Sequence, residues 1–356
     1  MSIYWSKLAE RLVPYVPGEQ PKDKKYIKLN TNESPYPPSP KVLEAVKNAV
    51  NEDLRLYPDP ECDMLRTVIA EYYKLSKDEV FVGNGSDELL AFSFMAFFDP
   101  GKTILFPDIT YSFYPVYCNL INLDYETVPL DDDFNVPVEK FLKENGGVVI
   151  SNPKAPTAKY MPLEEIRAIV EYNRESVVVI DEAYIDFGGE SAVELIGNYP
   201  NLLVIQTLSK SRSLAGLRVG LALGNKELID GLNRVKNSFN SYTLDRLALV
   251  GAVEAFRDEG YFRETRRKII ATREWIVSDL RSMGFTVLES KANFIFISHQ
   301  KLGADTIFKR LREKGILVRY FKKPRIDNFL RVSIGTDKEM EAFRKALIEI
   351  IEEDGL

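Results

Sequence analysis

The chain has 356 residues, of which 45% are hydrophobic, so it can form one large domain and a smaller one. Its net charge of −6 and its single histidine, His299, argue against a general nucleic-acid-binding surface and a histidine-based metal cluster, and we predict no metal site. Two cysteines, Cys62 and Cys118, are too few for a disulfide framework and fit a reducing cytoplasm.

The N-terminal region is rich in proline and polar residues, which predicts an extended arm over residues 1–40. It does not have the features of a signal peptide. A helix is predicted from about Pro40 to Asp53, because apolar residues recur there at helical spacing, and another over Cys62–Tyr73. The longest apolar stretch, Leu89–Phe98, is too short to cross a bilayer, so we expect a cytoplasmic protein with no membrane partner.

Strands and helices then alternate along the chain. The predicted strands are Val80–Val82, Thr103–Phe106, Asp124–Val128, Gly147–Ser151, Ser176–Asp181, Leu202–Thr207 and Val219–Leu223. The predicted helices between them are Asp87–Phe98, Tyr111–Leu120, Val136–Lys143, Leu163–Tyr172 and Lys226–Val235. The strands are short, continuous apolar runs, as expected when helices cover both faces of a sheet. This alternation predicts an α/β fold with a mostly parallel central sheet.

The C-terminal third follows another pattern. A long helical stretch runs from about Leu244 to Met283 and is broken near Gly260. Short apolar runs and two further helical stretches follow and indicate a second, α+β domain. We predict an arm over residues 1–40 that contributes to the small domain and a dimer, a large domain over 41–260, and a small domain over 261–356.

One lysine stands out for its position. Lys210 follows the predicted strand Leu202–Thr207, and Arg218 lies eight residues further on. A nearby cation and partial desolvation favour a neutral amine, which can bond covalently to an aldehyde cofactor. Alternatively, this lysine simply follows a strand.

Acidic and aromatic residues follow two other predicted strands. Asp181 and Tyr184 come at the end of Ser176–Asp181, where ligands of open α/β sheets bind. A carboxylate there can hold a proton on a heteroaromatic nitrogen, and Tyr184 can donate to a phenolic oxygen. A simple helix cap is the alternative for Asp181. Tyr111 also follows a strand, and it can either stack on a cofactor ring or belong to the core.

A phosphate site is indicated where a strand meets a helix. Gly85, Ser86 and Asp87 lie in a glycine turn, where free backbone N–H groups can approach an anion. The turn has neither the dinucleotide-binding fingerprint nor the P-loop pattern, and an ordinary capped turn is the alternative. Arg218 can meet the same phosphate with two hydrogen bonds, helped by the hydroxyl groups of Ser209 and Thr207.

A second anion site is indicated by arginines near the C-terminus. Arg331 lies inside an apolar strand, where an unpaired charge is costly, so it requires an anion or a structural salt bridge. Arg319 follows another apolar strand and is a weaker candidate of the same kind.

Together these motifs resemble the fold-type I enzymes that use pyridoxal 5′-phosphate (PLP), and within them the histidinol-phosphate aminotransferases. The resemblance runs nearly end to end. Its motifs are Pro14–Gly18, Leu29–Pro35, Leu56–Asp59, Gly83–Leu90, Thr110–Tyr111, Asn152–Pro153, Asp181–Tyr184, Thr207–Gly220 and Leu330–Thr336.

The resemblance implies a role for each matching residue. Lys210 would be the Schiff-base lysine, Asp181 would pair with the pyridinium nitrogen, Tyr184 would bond the phenolic oxygen and Tyr111 would stack on the ring. Tyr57 would reach the cofactor of a neighbouring subunit, which implies a homodimer. The other cofactor-binding residues would be Gly85, Ser86, Asp87, Thr207, Ser209 and Arg218. The anionic end of the substrate would be bound by Arg331, Arg319, Tyr15 and Asn32.

One segment departs from the family pattern. The family commonly has Asn-Pro-Asn-Asn-Pro-Thr-Gly, whereas this chain has Ala155 in place of the second of the paired asparagines and Ala158 in place of the glycine. Alanine cannot make the asparagine's bond to the cofactor, and Asn152 is not its positional equivalent, so that role is not transferred. Lys154 could contact an anion, but we expect it to be a solvated loop lysine.

The resemblance favours transamination between histidinol phosphate and 2-oxoglutarate in histidine biosynthesis, yielding imidazole acetol phosphate and glutamate. Two other reactions use a similar scaffold, namely decarboxylation of threonine phosphate and transamination of aromatic amino acids. The alternative that is not an enzyme is a catalytically silent protein of the PLP fold that serves as a binding or regulatory module.

Overall fold

The computed structural model describes residues 3–355, in which helices and strands alternate through most of the chain. The helices are α1 (Lys7–Arg11), α2 (Pro40–Ala49), α3 (Asp63–Tyr73), α4 (Gly85–Phe97), α5 (Tyr114–Ile121), α6 (Leu163–Tyr172), α7 (Lys226–Phe239), α8 (Arg246–Arg257), α9 (Glu259–Ser282), α10 (Ala304–Glu313) and α11 (Asp337–Glu353). The strands are β1 (Ile27–Lys28), β2 (Val80–Asn84), β3 (Ile104–Pro107), β4 (Tyr125–Val128), β5 (Gly147–Ser151), β6 (Val178–Asp181), β7 (Leu202–Thr207), β8 (Val219–Gly224), β9 (Phe285–Val287), β10 (Phe294–His299), β11 (Ile316–Leu317), β12 (Arg319–Tyr320) and β13 (Leu330–Ser333).

The central sheet has seven strands in the order β2-β8-β7-β6-β5-β3-β4. Strands β3 to β7 pair in parallel, and β8 runs antiparallel to both of its neighbours, β7 and β2. Alternate residues of one strand enter different cores: Val178 and Ile180 join one apolar cluster, and Val179 joins another. Helices therefore cover both faces, and the predicted α/β fold with a mostly parallel sheet is confirmed.

A smaller sheet lies in the C-terminal third, where β12-β13-β10-β9 pair antiparallel. Side chains from α9, α10 and α11 form its apolar core. The N-terminal arm reaches this region, because β1 pairs in parallel with β11 through Ile27 and Ile316. The arm is thus partly structured, since it also contains α1.

One predicted helix differs in type from the structure. The segment predicted as the helix Val136–Lys143 forms only a 3-10 helix over Val138–Phe141. So short a segment seldom sustains an α-helix in the absence of a longer apolar face. The predicted break of the long helical stretch near Gly260 is confirmed, since α8 ends and α9 begins on either side of Asp258. The Asp258 carboxylate accepts a hydrogen bond from Ser39. Within residues 3–355, no helix is both long enough and apolar enough to cross a membrane.

Candidate active site

A cavity lies at the carboxyl ends of β5, β6 and β7, where ligands of open α/β sheets bind. Thirteen of the predicted site residues line it. They are Tyr15, Asn32, Ser86, Asp87, Tyr111, Asp181, Tyr184, Thr207, Ser209, Lys210, Arg218, Arg319 and Arg331. These residues come from the large sheet, the small sheet and the N-terminal arm, so the fold assembles one site from distant parts of the chain.

Lys210 extends into this cavity from the segment after β7. Its Nζ donates a 3.2 Å hydrogen bond to the carbonyl oxygen of Thr31 and lies 5.8 Å from the centre of the Tyr184 ring. It forms no ion pair with a carboxylate in the described part of the chain. The amine is therefore available to a ligand. The cation predicted to accompany it, Arg218, pairs instead with Asp87, at 3.1 Å between Nη2 and Oδ2.

Asp181 is the buried acid of the site. It is 5% exposed at the end of β6, and its Oδ2 accepts a 2.9 Å hydrogen bond from the hydroxyl of Tyr114. The backbone N–H of Ala183 donates to its Oδ1 at 3.3 Å. Burial raises the pKa of Asp181 to about 6, and the bond from Tyr114 limits the rise. Such a carboxylate is best satisfied by a cationic partner in the cavity.

The neighbouring acid, Glu182, is excluded from the cavity because successive side chains of an extended chain point in opposite directions. Its carboxylate accepts hydrogen bonds from Ser191, from the Ala192 N–H and from the Gln206 amide. Burial raises the pKa of Glu182 to about 7. It is thus a satisfied structural acid.

The start of α4 forms an anion cradle. Gly85 has φ of +79°, and a Cβ at this position would lie 2.5 Å from Arg218 Nη2. The side chain of Asn84, at the helix N-cap, accepts no capping hydrogen bond, so the first N–H groups of the helix have no side-chain acceptor. With the Arg218 guanidinium opposite and hydroxyl groups nearby, this geometry suits a phosphate group.

Further hydroxyl groups surround the cradle. Thr207 Oγ1 donates to Ser209 Oγ at 3.0 Å, and Ser86 lines the same part of the cavity. The hydroxyl of Tyr111 donates to Asp87 Oδ1 at 2.8 Å, which fixes its ring at the edge of the cavity. Asp87 thus links the aromatic wall to Arg218.

Two arginines, neither of which has a carboxylate partner in the described part of the chain, lie at the other end of the cavity. Arg331 lies directly opposite Arg319 across β12 and β13, and its guanidinium lies about 5.4 Å from the Phe294 ring and 5.6 Å from the Phe321 ring. Its Nη2 donates to the carbonyl oxygen of Asn30, whereas its Nε has no partner. Burial lowers the pKa of Arg331, and the charge of Arg319 adds to this effect.

Neither arginine forms an ion pair with a carboxylate among residues 3–355. Arg319 donates only to the carbonyl oxygens of Val16 and Pro17. Tyr15, in the same arm, stacks on Phe113 with ring centres 4.3 Å apart. The arm therefore closes the cavity over two guanidinium groups, which suits an anionic substrate group.

Asn32 positions Tyr184. Its Nδ2 donates to the Tyr184 hydroxyl at 3.1 Å, and its Oδ1 accepts from Ser333 Oγ at 2.9 Å. Its backbone has φ of +55°, a conformation that asparagine tolerates better than most residues. Because Ser333 belongs to β13, this bond ties the arm to the small sheet.

Tyr57 lies outside the cavity of its own chain. It is 79% exposed, and its ring stacks on Tyr242 with centres 4.6 Å apart. Leu54 and Leu56 are also exposed nearby along the chain.

The segment that departs from the family pattern forms one wall of the cavity. Ala155 lines the cavity and packs in a small cluster with Ala158, Ala292 and Phe294. Ala158 has φ of +66°, which explains why a glycine is suited to this position. The expectation of a solvated Lys154 was wrong: the residue is 2% exposed and lines a cavity behind this wall.

Sequence reasoning missed some residues of the site. Tyr114, Thr31 and Asn30 contact Asp181, Lys210 and Arg331 respectively. Only the closeness of Tyr114 to Tyr111 and of the other two to Asn32 hinted at them. Within residues 3–355, no three histidine, cysteine, aspartate or glutamate side chains are grouped as a metal site requires.

Comparison with known proteins identifies close relatives. Residues 24–347 match the family model for aminotransferase class I and II. A histidinol-phosphate aminotransferase from Clostridium acetobutylicum is 65% identical over 351 residues, which covers 99% of this chain and 100% of that protein. Another from Clostridium botulinum (strain Langeland) is 61% identical, with 99% of each chain covered. The crystal structure of histidinol-phosphate aminotransferase from Sinorhizobium meliloti in complex with pyridoxal-5′-phosphate has a TM-score of 0.89 and 26% identity, with 99% of each chain covered.

Proposed function

This chain belongs to the class I and II aminotransferases, and from that premise we propose that it is a PLP-dependent histidinol-phosphate aminotransferase of histidine biosynthesis. The reaction transfers the amino group of histidinol phosphate to 2-oxoglutarate and yields imidazole acetol phosphate and glutamate. One observation carries the proposal: an unpaired lysine, a buried carboxylate, an anion cradle and two unpaired arginines share one cavity. Relatives that are at least 60% identical bear the same name, which favours this reaction over the two alternatives on the same scaffold.

The cavity fits the cofactor at both of its ends. Gly85 leaves the space that a Cβ would fill, and Ser86, Ser209 and Arg218 would hold the phosphate together with the first N–H groups of α4. Asp181 would hold the proton on the ring nitrogen, and this ion pair would satisfy its buried carboxylate. When bound, PLP supplies an electron sink for the charge that develops on the substrate carbon.

The amine of Lys210 would hold the cofactor covalently and move the proton at the substrate α-carbon. No carboxylate fixes its Nζ, and the Thr31 carbonyl that it contacts orients it without neutralising its charge. Tyr184 would donate to the phenolic oxygen of the cofactor, with its hydroxyl positioned by Asn32. Tyr111, held by Asp87, would stack on the ring.

Arg331 would bind the anionic group of either substrate. Its partnerless Nε and the neighbouring Arg319 favour a carboxylate or a phosphate at the same place. Tyr15 and Asn32 would close this end of the cavity. Histidinol phosphate and glutamate each carry one amine and at least one anionic group, so one guanidinium site can serve both half-reactions.

The domain organisation belongs to the same proposal. Residues 41–260 would form the cofactor-binding domain and residues 261–356 the small domain, with the arm joined to the latter through β1 and β11. Two free cysteines, both buried, fit a protein of the reducing cytoplasm.

A homodimer would complete the site. Tyr57 is exposed and does not line the cavity of its own chain, and exposed leucines accompany it, as is typical of a surface that a partner covers. We therefore assign Tyr57 to the cofactor phosphate of the partner subunit.

The reaction is tested with purified, PLP-loaded protein supplied with histidinol phosphate and 2-oxoglutarate. We expect stoichiometric glutamate, and no carbon dioxide from threonine phosphate. Faster turnover of aromatic amino acids than of histidinol phosphate would refute the assigned substrate. If none of these amino donors yielded glutamate, the assignment of aminotransferase activity would be refuted.

The shared site is tested by mixing two inactive variants, Lys210→Ala and Tyr57→Ala. A mixed dimer contains one site with both native residues, so mixing should restore part of the activity. The control mixes Lys210→Ala with Asp181→Ala and should restore no site, because Lys210 and Asp181 line the cavity of the same chain. Its site that keeps Lys210 would lack Asp181, and the other site would lack Lys210. No recovery in the first mixture, despite proven subunit exchange, would contradict the role of Tyr57.

A further inference from the structure

A second cavity lies behind the wall that Ala155 and Pro156 contribute to the active site. We call it the rear cavity; it is lined mainly by Lys154, Lys159, Tyr160, Pro162, Glu165 and Glu289. Its volume of about 370 Å³ can hold several water molecules or a small ion, because one water molecule takes about 30 Å³ of the liquid.

Lys154 gives this cavity an unsatisfied charge. Its side chain is among the largest that are fully buried, and its residue is 2% exposed. Its ammonium group makes no hydrogen bond or ion pair with any residue from 3 to 355. A buried charge without a partner is costly, so this amine is best satisfied by a ligand with acceptor oxygens. Burial lowers the pKa of Lys154 to about 7, and the charge of Lys159 contributes.

The start of α6 meets the same cavity and is an independent feature that favours an anion. The helix has ten residues, and Pro162 occupies its N-cap position, where it offers no side-chain acceptor to the first N–H groups. Residues on both sides of this helix start, Met161 and Glu165, line the cavity. Free N–H groups and the helix dipole attract negative charge. Glu164 and Glu165 lie in the first turn, but neither makes a hydrogen bond to these N–H groups.

Two other charged residues that line the cavity have partners of their own. Lys159 Nζ donates to the carbonyl oxygen of Asp133. Glu289 has a 74% exposed side chain and lies 3.8 Å from Lys291. The carboxylates of Glu165 and Asp131 act on Lys154 only over a distance, since neither is close enough to form a salt bridge. Lys154 is thus the buried amine of this cavity that no carboxylate contacts directly.

We propose that the rear cavity binds a small oxyanion, a carboxylate or a phosphate, between Lys154 and the N-terminus of α6. The site adjoins the active site through the backbone. The Lys154 N–H donates to the carbonyl oxygen of Lys159, and the Ala158 N–H donates to the carbonyl oxygen of Lys154. An anion held by Lys154 stabilises the segment whose other side, Ala155, lines the active site.

The test measures thermal unfolding of the PLP-loaded protein as sodium phosphate replaces sodium chloride at constant ionic strength. A parallel series uses sodium acetate. PLP is kept saturating because free phosphate would otherwise enter the cofactor cradle. We expect the midpoint of unfolding to rise with phosphate, since a ligand that binds the folded state stabilises it. A rise in both series identifies a general oxyanion site, and a rise in one identifies the anion that fits.

The matched variant is Lys154→Met, which keeps the length of the side chain and removes its charge. Its apparent affinity for the anion should be at least about tenfold weaker, the scale of one lost charge-assisted hydrogen bond. Its midpoint without phosphate should exceed that of the wild type, because the unpaired charge is gone. Arg331→Met should lose only the part of the phosphate response that comes from the substrate site. It should keep the part that Lys154→Met loses, which separates the rear cavity from the substrate site.

Equal phosphate responses of the wild type and Lys154→Met overturn the proposal, as does a response lost only in Arg331→Met. A flat response of the wild type to both anions overturns it as well. If Lys154→Met does not fold, the anion affinity of Glu165→Gln tests the proposal instead. Removal of a carboxylate that shares the cavity must tighten anion binding, and an unchanged affinity overturns the site. None of these readouts depends on the transaminase reaction, so failure here leaves the proposed function standing.

Discussion

The hydroxyl of Tyr114 donates a 2.9 Å hydrogen bond to Asp181 Oδ2, in a place where both residues are buried. Asp181 ends β6, and Tyr114 begins α5, the helix that follows β3. Together with the hydrogen bond from the Ala183 N–H to Oδ1, this bond fixes the orientation of the carboxylate in the cavity. It also stabilises the charged form of Asp181 against the cost of burial.

Replacement of Tyr114 by phenylalanine should raise the pKa of Asp181 in the cofactor-free protein further above its ordinary value. The hydrogen bond lowers this pKa, so its loss leaves burial less opposed. Turnover should fall about tenfold, the scale of one charge-assisted hydrogen bond. Carbon NMR of the carboxyl group and steady-state kinetics measure the two effects. The control is Tyr125→Phe, a partly exposed tyrosine stacked on Phe106. Identical titrations of Asp181 in wild type and Tyr114→Phe would contradict this prediction.

Asp181→Asn should stabilise the cofactor-free protein while it abolishes most activity. The pKa of Asp181 is raised to about 6, so between about pH 4 and 6 the folded state binds more protons than the unfolded state. The stability that this group contributes therefore falls as pH rises through that window, by about 3 kcal/mol, and stays low above it.

Asparagine does not ionise, so Asp181→Asn should lack this pH-dependent loss. Denaturant unfolding of the cofactor-free proteins from pH 4 to 8 tests it. Glu182, whose pKa is also raised, contributes equally to both proteins and cancels in the comparison. A stability difference between the two proteins that does not change with pH would count against the raised pKa.

Gly85→Ala should weaken PLP binding at least about tenfold. The added Cβ would lie 2.5 Å from Arg218 Nη2, and the backbone at this position has φ of +79°. Either effect displaces the guanidinium or the first N–H groups of α4. The matched control is Gly197→Ala, where a Cβ meets nothing within 4 Å. A spectroscopic titration with PLP gives the affinities of the wild type and of both variants. Equal affinities of Gly85→Ala and the wild type would contradict phosphate binding at the start of α4.

Arg331→Lys should raise the KM for histidinol phosphate and for glutamate about tenfold or more, with PLP affinity unchanged. Lysine keeps the charge but loses the planar guanidinium that contacts the Phe294 and Phe321 rings. Arg344→Lys, which lies in a partly exposed ion pair with Asp279, is the control. If the KM of both substrates stayed at the wild-type value, the anionic groups would have to bind elsewhere.

Lys210→Ala should lose turnover by at least about a thousandfold and yet bind PLP through the phosphate cradle. Borohydride treatment followed by peptide mapping should find the cofactor on Lys210 in the wild type and on no residue in the variant. Lys226→Ala, at the first position of α7, is a control with normal turnover expected. Cofactor attached to another lysine in the wild type would refute the assignment.

Motifs that lie at the ends of strands could be predicted from the sequence alone. Lys210, Asp181 and the Gly85 turn each follow an apolar run, and the carboxyl ends of parallel strands meet at one edge of a sheet. The alternation of strands and helices determined the fold class for the same reason, because local periodicity reports which faces are buried. These features depend on neighbours in sequence.

The tertiary structure alone decided which partners these residues have. Nothing near Tyr114 in the sequence indicated a bond to a residue 67 positions away, and Arg218 could not be paired with Asp87 before α4 was placed. Lys154 shows the same limit, since a lysine in a proline-rich loop is usually solvated, and only packing put it behind the active-site wall. Hydrogen bonds and desolvation act between atoms that are close in space, and folding brings such atoms together from distant parts of the chain.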